Sequence, residues 1–107
     1  MNIDKKIKEF KINEEEYVMF FDMNSIRTYV NLSGQDFNKG LVDLFTEKAE
    51  TFIYFLASTI RRKEEENKPL GEELLNGDVL YWLLNYRSML EEIVISSLPQ
   101  ENKSKKK

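Results

Sequence analysis

The sequence predicts an α+β fold that is mostly helical, with a small N-terminal β-hairpin followed by four to five helices. Two observations predict it: short alternating apolar runs before residue 22, and apolar residues at helical spacing from there to residue 98. The 107 residues, of which 41% are hydrophobic, suit one domain, predicted over residues 1–98. Residues 99–107 have the composition of a disordered basic tail.

The hairpin is predicted over residues 7–21. Residues 7–12 and 17–21 are apolar-rich, and the polar residues 13–16 between them have the length of a hairpin turn. Phe10 and Ile12 alternate with charged residues, as in a half-buried strand. Val18 and Phe20 make the second face of the second strand apolar too, so we expect that strand to be covered on both sides.

Two short helices are predicted next, each with an aspartate able to cap it. Asp22 or Asn24 begins the first, Gly34 ends it, and Asp36 begins the second. Gly40 costs the second helix about 1 kcal/mol relative to alanine, so a break near it is possible. The predicted inner residues are Met23, Ile26, Tyr29 and Val30 in the first helix and Phe37, Leu41, Leu44 and Phe45 in the second.

Longer apolar stripes predict two further helices. One begins at Glu47 and ends in a charged run at residues 61–66, with pairs expected between Arg61 and Glu65 and between Arg62 and Glu66. Residues 67–69 interrupt the helical pattern, and residues 70–76 suit one or two helical turns. The last helix is predicted from a cap at Asp78 to the stop at residue 99, and its apolar band is wide.

Composition excludes several classes of function. The chain has no cysteine and no histidine, so it offers no thiolate site, no disulfide and no histidine-based triad. No glycine-rich phosphate loop is present, the aspartates fit helix caps, and the glutamate runs fit solvated turns better than a calcium site. We therefore expect no enzyme activity, no cofactor and no metal. No apolar run is long enough to span a membrane, and we expect a cytoplasmic protein.

Charge is distributed unevenly along the chain. Residues 99–107 carry four lysines against one glutamate, a net +3, whereas residues 1–98 carry −6. An acidic body is a poor surface for duplex nucleic acid, whose binding requires several phosphates to be neutralised. The positive charge of the cluster at residues 61–63 is largely cancelled by the glutamates that follow it. The composition of the tail favours a solubilising role.

Large aromatic residues at the edges of the apolar stripes are the candidate contacts for a protein partner. For Trp82 in particular, core packing of the last helix is the favoured alternative, and a nucleic-acid platform is a further one. Wide apolar bands in so small a domain also favour a homo-oligomer. The candidate partner-binding residues are Tyr54, Phe55, Tyr81, Trp82 and Tyr86.

The chain carries a run of short motifs between residues 10 and 37, namely Phe10-Lys11-Ile12-Asn13, Tyr17, Phe21-Asp22-Met23-Asn24-Ser25-Ile26-Arg27, Leu32-Ser33-Gly34 and Phe37. This run resembles the tail assembly chaperones of long-tailed bacteriophages and prophages, with Glu14 where the resemblance would place a glycine. The resemblance implies a small factor that binds the tape measure protein, tail tube subunits or both during tail assembly and is absent from the finished virion.

Two alternative functions stay open at the level of sequence. One is a small nucleic-acid-binding regulator that uses the basic tail and an exposed helix. The other is a structural head-to-tail joining component of a phage particle. The first would bind in a salt-sensitive manner, and the second would co-purify with virions.

Overall fold

A computed structural model describes residues 6–46, 48–78 and 83–98. It confirms the predicted class: the described residues form a three-stranded antiparallel sheet and five α-helices. In chain order the elements are β1 (Lys8–Ile12), β2 (Glu15–Met19), α1 (Met23–Ser33), α2 (Phe37–Phe45), α3 (Ala49–Thr59), β3 (Ile60–Arg62), α4 (Glu72–Leu75) and α5 (Arg87–Ser97), with 3-10 turns at Lys63–Glu65 and Leu84–Tyr86.

The predicted hairpin is present, with a tighter turn than expected. Ile12 pairs with Glu15, so only Asn13 and Glu14 form the loop. Their φ angles are 50° and 73°, the left-handed pair that a two-residue type I′ turn requires. This turn matches the right-handed twist of the strands, and the hairpin forms although Glu14 is a poor residue for that conformation.

The third strand was not predicted. Residues 60–62 were assigned to the end of a helix, but α3 ends at Thr59 and Ile60 is extended, with ψ 134°. β3 then pairs antiparallel with β2, joining Val18 to Arg61. The expected helical pairs of Arg61 and Arg62 with glutamates four residues on are therefore wrong. Sheet pairing outweighs the local helical pattern because it supplies β2 with its second neighbour.

Both predicted caps of the first two helices are confirmed. The Asp22 carboxylate accepts a hydrogen bond from the Ser25 amide at 3.1 Å, and Asp36 accepts one from the Lys39 amide at 3.2 Å. Gly34 ends α1 in the left-handed conformation, with φ 70°. Three residues predicted to face inward are exposed instead, because the core contacts the opposite sides of these short helices: Met23, Val30 and Phe45.

α2 continues unbroken through Gly40, and the reason lies in its packing. A Cβ at this position would stand 2.5 Å from the Tyr29 hydroxyl oxygen and 2.6 Å from two of its ring carbons. Tyr29 is fully buried on α1. Gly40 therefore does not interrupt the helix but allows α2 to approach the tyrosine ring closely.

The C-terminal half departs from the prediction in its last helix. α4 confirms the short helical piece expected over residues 70–76. The long final helix is not continuous: a 3-10 turn at Leu84–Tyr86 precedes α5. The predicted cap at Asp78 concerns residues 79–82, which lie outside the described residues, as does the predicted tail at 99–107.

From Tyr17 onward β2 is buried on both faces, as the sequence predicted. One face of the sheet contributes Tyr17, Met19 and Ile60 to the main core, which α1, α3 and α5 complete. The opposite face carries Val18 and Phe20, which are 0% and 2% exposed. The two faces differ in chemistry, because a buried arginine lies beside these two residues.

Candidate partner-binding surface

The structure describes three of the five predicted contact residues, and two of these, Tyr54 and Phe55, lie on α3. Phe55 is fully buried, its ring 4.6 Å from that of Tyr29, so it belongs to the core and offers no surface to a partner. Tyr54 is half-buried, with its ring 6.5 Å from Tyr29. The other two, Tyr81 and Trp82, lie outside the described residues.

Tyr86 is half-buried at the start of α5. Its ring lies 5.0 Å from that of Phe10 on β1, and the neighbouring Arg87 places its guanidinium 4.4 Å from the Phe52 ring centre. Arg87 also pairs with Glu91 at 3.4 Å. The two half-buried tyrosines thus lie in separate aromatic clusters, and no described ring contact joins them into a single groove.

The most exposed large apolar side chain among the described residues is on α2. Val42 is 63% exposed, and Phe45, one helical turn later, is 40% exposed. We call Val42 and Phe45 the α2 patch. Residues at this spacing lie on one side of a helix, which is how an amphipathic partner helix is recognised. Leu44, between them, is fully buried and anchors the helix to the core.

A second exposed apolar pair lies on α1. Met23 is 44% exposed and Val30 is 39% exposed. They are two helical turns apart and therefore on the same side of α1. The exposed side of the helix thus carries apolar surface at both ends, with the Arg27 side chain bonded to Asn24 between them.

A groove of about 500 Å³ separates the start of β1 from α5. It is open and of mixed polarity, and across it the Lys8 ammonium approaches the Glu92 carboxylate at 4.0 Å. Ile7 beside it is 48% exposed. The strand side is lined by Lys6, Ile7 and Lys8, and the helix side by Glu92, Ile93 and Ser96.

Arg61 is a fully buried charge where β3 meets the start of α1. Its Nη2 donates to the Asp22 carboxylate at 2.9 Å and to the Ser25 hydroxyl at 3.1 Å. The guanidinium stacks 3.7 Å from the centre of the Phe20 ring. Its Nε and Nη1 have no hydrogen-bond partner among the described residues. The cluster thus ties the third strand to the helix cap.

Asp22 therefore caps α1 and balances the buried charge. Burial of the carboxylate opposes its ionisation, but the hydrogen bond and charge of Arg61 and the bonds from Ser25 outweigh this, and the pKa of Asp22 is lowered. Burial lowers the pKa of Arg61, with Asp22 partly offsetting the effect. The arginine stays protonated because the pKa of a guanidinium lies far above neutral pH. The pair therefore joins a fully buried arginine to a partly exposed helix cap.

The other two residues of the basic cluster are also neutralised. Arg62 makes an ion pair with Glu73 and lies 3.7 Å from a carboxylate oxygen of Glu15. Lys63 pairs with Glu9 at 3.2 Å. The charges of residues 61–63 are thus paired with acidic residues distant in the chain, and not, as the sequence predicted, with the glutamates that directly follow them.

Sequence reasoning missed the α2 patch and the Arg61 cluster. Val42 was not assigned to either face, and Phe45 was assigned to the inner one. A weak signal for the end of α3 was present, since the β-branched Thr59 and Ile60 are adjacent and disfavour helix. Nothing in the pattern indicated that Arg61 would be the inward residue.

The described residues contain no group of three or more acidic, histidine or cysteine side chains that would suit a metal ion. Among the same residues, no helix is both long and apolar enough to cross a membrane. The chain matches no known family model, and neither its sequence nor its fold finds a match among curated proteins or solved structures.

Proposed function

We propose that this protein is a phage tail assembly chaperone that binds the tape measure protein, tail tube subunits or both during tail morphogenesis. The observation that carries the proposal is the motif run at residues 10–37, which resembles that family. In this chain the run builds one unit: a hairpin, the Asp22 cap, α1, and the Gly34 stop. The motif run thus coincides with one contiguous structural unit, which supports the proposal.

The surface supports a binding role as well. A chaperone for a long helical protein must cover apolar side chains on its partner, and it needs exposed apolar side chains of its own. The α2 patch supplies two, on one side of a helix that Asp36 caps. Tyr54 on the neighbouring α3 is a further candidate, and Tyr81, Trp82 and Tyr86 stay predictions.

The test is co-expression with a candidate tape measure protein, followed by affinity capture and a comparison of that protein's solubility with and without this chain. We expect a soluble complex that survives high salt, because apolar contacts are not screened. An insoluble, unbound partner would refute the proposal. Capture that disappears at moderate salt would favour the nucleic-acid regulator, and presence in purified virions would favour the joining component.

A pair of variants locates the contact. Val42→Gln combined with Phe45→Gln removes apolar surface from the α2 patch without adding charge, and we expect capture to fall at least about tenfold. Asn38→Gln is the matched control, since Asn38 is exposed on the same helix and receives the same side chain. Equal loss in the control, or none in the patch variant, would exclude α2 as the contact.

A further inference from the structure

The free edge of the sheet has a self-complementary pattern of charge. β1 lies at one end of the strand order β1-β2-β3, so one side of its backbone lacks a neighbouring strand among the described residues. An unpaired edge is a template for another strand. We infer that β1 pairs antiparallel with β1 of a second copy of this chain, which would join two sheets into one of six strands.

The direction of each backbone group on β1 follows from the hairpin. In a two-residue turn the flanking residues form a hydrogen-bonded pair, and the pairs then alternate along the strands. Lys8, Phe10 and Ile12 therefore bond to β2, and Glu9 and Lys11 direct their backbone N–H and C=O groups to the free edge.

The other side of β2 gives an independent check. Phe20, the residue after β2, donates its amide to the carbonyl of Thr59, the residue before β3, at 3.1 Å. Because the backbone groups of successive residues point to opposite sides of a strand, the N–H and C=O groups of Val18, which lies opposite Arg61, also point to β3. Those of Tyr17 and Met19 then point to β1. The alternation on β2 agrees with the assignment on β1.

One register satisfies both the hydrogen bonds and the charges. With Phe10 opposite Phe10 of the second copy, Glu9 stands opposite Lys11 of the other copy, and Lys11 opposite its Glu9. All four of these residues have outward backbone groups and can form hydrogen-bonded pairs. Shifting the strands by two residues either way instead places Glu9 opposite Glu9 or Lys11 opposite Lys11, and like charges directly opposite are destabilising.

The side chains are available for this pairing. Glu9 and Lys11 are exposed, and Glu9 makes only a surface pair with Lys63 at 3.2 Å. Lys11 has no ion pair among the described residues. Phe10 is half-buried against Tyr17 and Tyr86, and in this register its backbone reaches the close spacing of a non-hydrogen-bonded pair.

The strand edge is also open to approach. An open groove lies between the start of β1 and α5, and Ile7 beside it is exposed. A lysine on an edge strand ordinarily discourages pairing. Here the charge of Lys11 is instead matched by Glu9 of the second copy, and the charge of Glu9 by Lys11 of that copy. The interface is isologous, so it closes at two copies and does not propagate into a filament. It depends on sheet geometry and stands independently of the proposed function.

The test uses the full chain and a charge swap. Sedimentation across a concentration series is expected to show a monomer–dimer equilibrium. Lys11→Glu alone and Glu9→Lys alone each replace two attractive pairs with two repulsive ones, and we expect the dissociation constant to rise about tenfold. The double variant exchanges the charges and is expected to restore dimerisation. Lys63→Ala, which removes the surface partner of Glu9, is the control and leaves the dimer intact.

The register has its own readout, because the chain contains no cysteine. Chains carrying Glu9→Cys and chains carrying Lys11→Cys are mixed under mild oxidation. The mixed disulfide should form in preference to either symmetric one, since residues 9 and 11 of different copies are opposite and like residues are diagonal. A monomer at all concentrations, a charge swap that fails to restore the dimer, or equal yields of all three disulfides would overturn the inference.

Discussion

Replacing Gly40 with alanine sets two opposing effects against each other, and the structure decides which is larger. Alanine is favoured over glycine inside a helix by about 1 kcal/mol. However, the added Cβ would lie 2.5 Å from the Tyr29 hydroxyl oxygen. Overpacking a filled core costs about 1 to 3 kcal/mol. The sequence alone predicts that the substitution stabilises α2, whereas the packing predicts the opposite.

Tyr29 has little room to move away from the new methyl group. Its ring is fully buried and lies 4.6 Å from the ring of Phe55, which is also fully buried. Phe37 and Tyr54 contact two further sides of it. We therefore place the steric cost at the upper end of the range and expect Gly40→Ala to lower the free energy of unfolding by about 2 kcal/mol.

Denaturant unfolding monitored by circular dichroism measures this change, and a second background isolates its cause. In a Tyr29→Leu chain the hydroxyl and outer ring atoms are gone, so Gly40→Ala should become neutral or stabilising by about 1 kcal/mol. The reversal of sign distinguishes a steric clash from any general effect on α2. If Gly40→Ala stabilises the protein with Tyr29 in place, the reasoning is refuted.

Three further predictions concern the turn and the buried ion pair. Glu14→Gly relieves the left-handed strain at φ 73° and should raise the free energy of unfolding by about 1 kcal/mol, whereas loss of stability would contradict the turn assignment. Arg61→Ala should lower the free energy of unfolding by about 3 kcal/mol, because it removes a buried side chain and leaves Asp22 without its charge partner. The control is Arg62→Ala, which breaks an exposed ion pair and should cost less than about 1 kcal/mol. The lowered pKa of Asp22 contributes stability that is complete above the ordinary pKa of 3.8 and is lost as the pH falls through the lower pKa of the folded state. In Asp22→Asn, which retains the cap, the free energy of unfolding should therefore depend less steeply on pH below about pH 4. An unchanged pH dependence in acid would exclude this contribution.

The sequence was sufficient for the elements whose signals are local. Asp22, Asp36 and Gly34 act within one helical turn of their own position, and the alternation on β1 and β2 extends over only a few residues. These features follow from backbone hydrogen bonding and side-chain periodicity, which depend on neighbours in the chain. The hairpin, the first two helices and the mostly helical class could therefore be predicted.

For the candidate partner-binding surface, the sequence indicated the type of side chain to expect but not which residues are exposed. Aromatic residues at the edges of apolar stripes were reasonable contacts, yet Phe55 is buried and Val42 is exposed. A helix of nine to eleven residues with a wide apolar band can turn several sides to a core. Which side it turns is decided by its neighbours, and the sequence pattern does not identify them.

What the sequence determined by itself was therefore the hairpin, the first two helices and the caps of those helices. What the tertiary structure decided was the end of α3, the burial of Arg61 and the need for glycine at position 40. Each of these depends on residues far apart in the chain: β2 recruits residues 60–62, Asp22 meets an arginine 39 residues later, and Tyr29 fills the space beside Gly40. Long-range packing and pairing override local propensity there, because the free energy of a buried contact exceeds the small differences between conformations of an isolated segment.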